Sequence, residues 1–81
     1  MMTKLPNEMT NEELFVLEEI EDIIIQLLKH RKRRGLTQEE VAKKSGLSRS
    51  TISRIESFSL IPDLKTLILI CKVYDISLTL K

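Results

Sequence analysis

GLTQEEVAKKSGLSRSTISRIES, residues 35–57, reads as two short helices joined by a turn. Thr37-Gln38-Glu39-Glu40 is a capping-box sequence, in which a Thr hydroxyl and a Glu three residues later satisfy each other's backbone N–H groups. Val41 and Ala42 follow, and Gly46 ends this first helix. Ser48 has the chemistry of the next N-cap, Ile52 and Ile55 give an inward face, and the second helix should stop near Ser57. Its composition is unusual for a helix. From Ser48 to Ser57 four serines, one threonine and two arginines surround only those two apolar residues. Hydroxyl side chains compete for backbone hydrogen bonds, so helix propensity does not select them. A loop, a solvated helix face and a surface for a particular partner all fit this composition.

Upstream, Thr10-Asn11-Glu12-Glu13 is another capping box and predicts a helix start. Leu17, Ile20, Ile24, Leu27 and Leu28 then recur at three- and four-residue spacing as one amphipathic stripe. That helix should run to about Arg34, with the cations of residues 29–34 at the end the macrodipole favours and Gly35 as the stop. Leu14, Phe15, Val16, Ile23 and Ile25 lie off the stripe and make a wider apolar surface than a monomer core of this size needs.

Downstream, Pro62-Asp63 marks a fourth start. Leu64, Leu67, Ile68 and Cys71 are expected to face the core, and Leu69 and Val73, nearly opposite, to occupy a second covered surface. After Asp75 the period changes. Ile76, Leu78 and Leu80 alternate with Ser77, Thr79 and Lys81, which predicts a strand with no partner elsewhere in the chain.

The chain has 81 residues, enough for one domain, and a chain this short buries only about 60% of its unfolded surface. At 42% apolar and 31% charged it is too apolar to be disordered. Cys71 is alone, so no internal disulfide forms; no charged, cleavable leader opens the chain, and the expected location is cytoplasmic. The longest apolar run, residues 67–71, is far short of the roughly 20 residues that span a bilayer, so no membrane partner is expected. The net charge is +1, but it is polarised. Residues 1–28 hold one lysine and seven acids, or −6, whereas residues 29–81 hold twelve cations and five acids, or +7. One end is therefore suited to an anion and the other is not, although a solvated, pair-laced helix surface would give the same balance.

Residues 35–57 closely resemble the Cro and phage-repressor type of helix-turn-helix family, often called Xre-like, and the likeness extends in outline from about Asp22 to Tyr74. Gln38 at the start of the first helix, Ala42 at the helix contact, Gly46 in the turn, Ile52 in the core and Glu56 at the end of the reading helix carry it. The resemblance implies an all-α fold, a four- to five-helix lambda-repressor-like DNA-binding domain. To this the alternation above adds a short C-terminal strand, expected to pair across a dimer. Flexible residues 1–9, the domain over 10–75 with its helix-turn-helix at 37–57, and the strand 76–81 are the expected divisions. The resemblance further implies that Arg49, Ser50 and Arg54 read bases, while Thr37, Gln38, Ser48, Thr51 and Ser57 hold phosphates or brace the readers. Lys44 is a candidate phosphate-contacting cation. The chemistry agrees, since arginine can donate two bonds to one guanine edge and hydroxyls suit phosphate oxygens. Arg31 and Glu56 match an internal ion pair of the family. One departure is Phe58, which stands where the family usually has a polar residue and then glycine; a left-handed cap there would be strained, so the loop closes differently or uses Phe58 as an anchor.

No metal spacing, phosphate loop or nucleophile–base set occurs, so neither an enzyme nor a cofactor is expected. His30 is read as a solvated helix-end cation and Cys71 as packed core. The expected function is a DNA-binding repressor that meets a palindromic double-stranded operator as a homodimer. Leu69, Val73, Ile76, Leu78 and Leu80 are the expected dimer residues. A long first helix, a terminal strand and no sensor domain look most like the HigA- or HipB-type antitoxins of toxin–antitoxin operons, which adds a cognate toxin as a partner. The competing readings are a phage-type or chromosomal regulator, and a protein-interaction module that has lost DNA binding.

Overall fold

The computed structural model describes residues 5–78. After a 3-10 turn at Pro6–Glu8 come four helices: α1 (Asn11–Arg33), α2 (Gln38–Ser45), α3 (Arg49–Glu56) and α4 (Leu64–Val73). Each start is set by a local side-chain bond. Thr10 and Thr37 form complete capping boxes with Glu13 and Glu40, and Ser48 and Asp63 accept from Thr51 N and Thr66 N. The α2–α3 turn passes through Gly46 at φ +78°, where no Cβ neighbour intrudes but an L side chain would be strained.

The core lies where α2, α3, α4 and the second half of α1 meet. Ile24 and Leu27 of α1, Val41 and Ala42 of α2, Ile52 and Ile55 of α3, and Leu67, Ile70, Cys71 and Tyr74 at α4 are all buried. Cys71 is packed core as expected, and burial pushes its thiol pKa up.

Two expectations for α4 and the segment after it need correction. Leu64 and Ile68 are 65% and 51% exposed, and the buried stripe is Leu67, Ile70, Cys71 and Tyr74. α4 is apolar nearly all round, so periodicity alone offers two stripes. The choice falls to Tyr74, whose ring fits beneath α1. Leu69 and Val73 are half-buried, with Val73 against the core. Residues 76–78 form no strand. Asp75 takes φ +56°, Ile76 N donates to Cys71 O at 3.1 Å, and Asp75 N donates to Lys72 O at 3.1 Å. This is the Schellman closure of α4, and Ile76 is its apolar contact, packed on the core. The alternation at Ile76 and Leu78 thus begins with a helix cap, and Leu78 is exposed. Leu80, with the rest of the expected strand, lies outside the described residues.

The same closure ends α3. Phe58 adopts φ +62°, with Ser59 N donating to Arg54 O at 2.8 Å and Phe58 N to Ile55 O at 3.0 Å. The left-handed cap therefore forms without glycine, at a backbone cost of about 1–2 kcal/mol. Phe58 is not a buried anchor: it is 39% exposed, and with Leu60 and Ile61 it borders a cleft of about 60 Å³ against Leu17, Ile20 and Ile24 of α1.

Candidate nucleic-acid interface

α3 is amphipathic in a lopsided way. Ile52 and Ile55 are each 2% exposed, while Arg49, Ser50, Arg54 and Ser57 face outward. Among the described residues the Arg49 and Arg54 guanidiniums have no partner. An arginine with no internal bond keeps all five donors for another molecule. Ser48 caps the helix by accepting from Thr51 N at 3.1 Å, and the two hydroxyls lie 2.9 Å apart. Thr51 is half-buried there. Ser57 Oγ turns back to donate to Arg54 O at 3.2 Å, so it closes its own helix end.

Behind this face lies a polar brace. Arg31 donates from Nε to Glu56 Oε2 at 2.7 Å and from Nη2 to Glu56 Oε1 at 2.8 Å, and its Nη1 donates to Leu36 O at 2.9 Å. Gln38 Nε2 donates to the same Glu56 Oε1 at 3.0 Å. The carboxylate therefore ties α1, the start of α2 and the end of α3 together. Its hydrogen bond raises the Arg31 pKa further, so the guanidinium stays charged at any ordinary pH. Gln38 retains one amide N–H beyond its bond to Glu56. Among the described residues no buried side-chain N or O lacks a hydrogen bond.

The N-terminus of α2 and the start of α3 open onto a common concavity of about 660 Å³. Arg31, Thr37, Gln38, Glu39 and Arg49 border it. A helix N-terminus, its spare N–H groups and a free guanidinium are a suitable lining for phosphate oxygens. Of the residues expected at the site, Thr37, Gln38 and Arg49 meet here, and Ser50 and Arg54 share the exposed side of α3. Lys44 lies apart, exposed in the last turn of α2.

Sequence reasoning missed a second clasp. Arg34 Nη2 donates to Tyr74 O at 2.9 Å, its guanidinium lies 5.3 Å from the Tyr74 ring centre, and its Nη1 is 2.8 Å from His30 Nδ1. Guanidinium has no acceptor, so Nδ1 accepts. The His30 ring stacks on Tyr74 with centroids 5.7 Å apart. His30 is thus half-buried between Arg34 and Tyr74 rather than freely solvated. Only the aromatic Tyr74 at the end of an apolar stripe hints at this in the sequence.

Among the described residues no cluster of His, Cys, Asp or Glu could hold a metal, and no helix is long and apolar enough to cross a membrane. No curated protein matches the chain. A solved structure described as "Toxin-Antitoxin module from Streptococcus pneumoniae" shares the fold, with a TM-score of 0.71 over 94% of this chain and 84% of that one at 22% identity. Residues 27–81 match the helix-turn-helix family, which covers α2, α3, α4 and the end of α1. With the capped pair of helices, the glycine turn and the outward-facing α3, this match shows that the chain belongs to the Cro-type helix-turn-helix family, a DNA-binding regulatory family and not an enzyme family.

Proposed function

We propose that the protein is a cytoplasmic transcriptional repressor that binds a palindromic operator as a homodimer, and that it is the antitoxin of a toxin–antitoxin pair. One observation carries the DNA half of this reading: two unpaired guanidiniums, Arg49 and Arg54, stand with Ser50 on the exposed side of a helix fixed from behind by Ile52, Ile55 and Glu56. In the roles assigned here, Arg49, Ser50 and Arg54 read base edges in the major groove. Thr37, Gln38, Ser48, Thr51 and Lys44 hold phosphates or brace the readers, and Ser57 braces the end of α3. The antitoxin half is supported by the fold shared with a toxin–antitoxin module. A homodimer is favoured because one such unit reads only a few base pairs, and two must sit about 34 Å apart on successive grooves. Leu64 and Ile68 on one side of α4 and Leu78 after it are exposed in the single chain, Leu69, Val73 and Ile76 are half-buried, and together they offer apolar surface for that contact.

The experiment is selection of a bound duplex from a randomised pool, followed by footprinting. A palindrome with half-sites about one helical turn apart is expected. Arg49→Ala should cost roughly 1–3 kcal/mol on the selected duplex and far less on random DNA. Equal losses on both would remove Arg49 from base reading. Failure to enrich any sequence would favour a protein-interaction module instead.

A further inference from the structure

The first half of α1 plays no part in the surface described above, yet it is shaped. Met9, Val16, Leu17 and Ile20 on one side and Ile61 on the other line an open groove of about 370 Å³. Val16 is 53% exposed and its neighbour Phe15 62% exposed. Glu12 and Glu13 also border the groove, and Glu19, one heptad beyond Glu12, continues the same side of the helix. Apolar floor and acidic rim coincide in a segment whose first 28 residues hold seven acids and one lysine.

Charge decides what can fill it. DNA and anionic lipid are repelled. A second copy placed symmetrically would set −6 against −6, because a twofold axis brings identical patches together. An extended peptide would bring unpaired backbone groups to a surface that has no sheet edge among the described residues. A helix satisfies its own backbone, and the groove follows α1 for about three turns, long enough for apolar anchors at helical spacing. We propose that this groove, which shares no residue with the DNA-reading face, is the docking site for a cationic amphipathic helix of a protein partner. The proposal deepens the antitoxin reading and rests on it only for the partner's identity as a toxin.

The test uses the full chain and a designed amphipathic peptide of about five helical turns, with leucines on one face and lysines on the other. A twin peptide carries glutamates in place of the lysines. Titration calorimetry should show binding of the lysine peptide alone. That binding should weaken about tenfold in Val16→Asp and in Glu12→Lys, and weaken again as salt rises. Arg49→Ala should bind the peptide as the parent chain does, and Val16→Asp should bind the selected duplex as the parent does. Equal binding of both peptides overturns the proposal, as does an equal loss in Arg49→Ala and Val16→Asp. A dimer that sediments as such and is dissolved by Val16→Asp also overturns it, since a second copy would then fill the groove. Failure of duplex selection with peptide discrimination intact removes the DNA reading and leaves this one standing; the reverse pattern removes this one alone.

Discussion

The two halves of α1 belong to one helix but live under different constraints. Its second half buries Ile24 and Leu27, anchors Glu56 through Arg31, and borders the Arg34–Tyr74 clasp just past its end. Its first half shows Phe15 and Val16 to solvent and touches the rest of the chain mainly through Leu17, Ile20 and the Phe58–Ile61 loop. Both halves start from good helix chemistry, and only one is tied into the core. A helix can thus be continuous in backbone and divided in what holds it. The fold rests on the C-terminal half, which leaves the N-terminal half free to serve a partner.

Among the polar contacts, the largest effect should come at the brace. Glu56→Ala strands Arg31, whose side chain is only 14% exposed, and deprives Gln38 of its acceptor. Removing one partner of a well-buried pair costs about 3–5 kcal/mol; with some solvent reaching this one, about 3 kcal/mol is expected. Urea unfolding followed by circular dichroism would measure it. A loss below about 1 kcal/mol would make the pair an ordinary surface contact and erase the contrast between the two ends of α1.

Next comes the clasp. Burial, reinforced by Glu56, pushes the Tyr74 hydroxyl up to about 12 from its ordinary 10.0. Its folded pKa lies above the unfolded one, so this contribution to stability is complete below pH 10 and is lost as pH rises from 10 to about 12. The loss should be on the order of 2–3 kcal/mol. Tyr74 is the only tyrosine, so tyrosinate absorbance reports this one group. If phenolate appears near pH 10 while the helices remain intact, the ring is not sealed beneath α1.

What the sequence made legible was the local chemistry. Thr10, Thr37, Ser48 and Gly46 lie within a few residues of the groups they serve, so their caps and turn are readable in any context. The outward face of α3 was readable for a related reason: with Ile52 and Ile55 inward, helical geometry turns Ser50 and Arg54 out, whereas Arg49, one turn before Ile52, is exposed as the first residue of the helix. The long-range bonds were not readable from spacing. Gln38 and Glu56 are separated by 18 positions, and Arg34 and Tyr74 by 40. The Arg31–Glu56 pair was anticipated through family resemblance. α4 misled because an almost uniformly apolar helix has no preferred side until its neighbours are placed. The segment at Ile76 misled because a Schellman cap built on Asp75 rather than glycine imitates the first step of a strand.

The two capping boxes give a smaller and direct comparison, because the same chemistry starts α1 and α2. Thr37→Ala should cost about 1 kcal/mol of global stability, since α2 packs on both α3 and α4 and cannot fray without opening the core. Thr10→Ala removes the equivalent hydroxyl acceptor, the 3.1 Å bond from Glu13 N, but from a helix end whose first residues are exposed. It should fray the first turns of α1 and lower the global value by only a few tenths of a kcal/mol. Amide exchange would separate the two, with protection lost around residues 11–16 alone in the second variant. Equal global losses would mean that the whole of α1 unfolds as one unit with the core.

The smallest effect expected concerns Phe15, and it bears most directly on the division of α1. A phenylalanine that contributes to a core loses about 3–5 kcal/mol when truncated to alanine. Phe15 is 62% exposed and is not among the residues packed on the core. Phe15→Ser should therefore change the urea midpoint by no more than a surface substitution does, within about 0.5 kcal/mol. Serine is also a poorer helix former than many residues, so the small change is expected to be a loss. Leu27→Ala, at the other end of the same helix and 6% exposed, supplies the contrast and should cost about 2–5 kcal/mol. A Phe15→Ser loss approaching that of Leu27→Ala would place Phe15 against something that holds the fold together. The N-terminal half of α1 would then be structural, and its apolar surface would no longer be free to receive a partner.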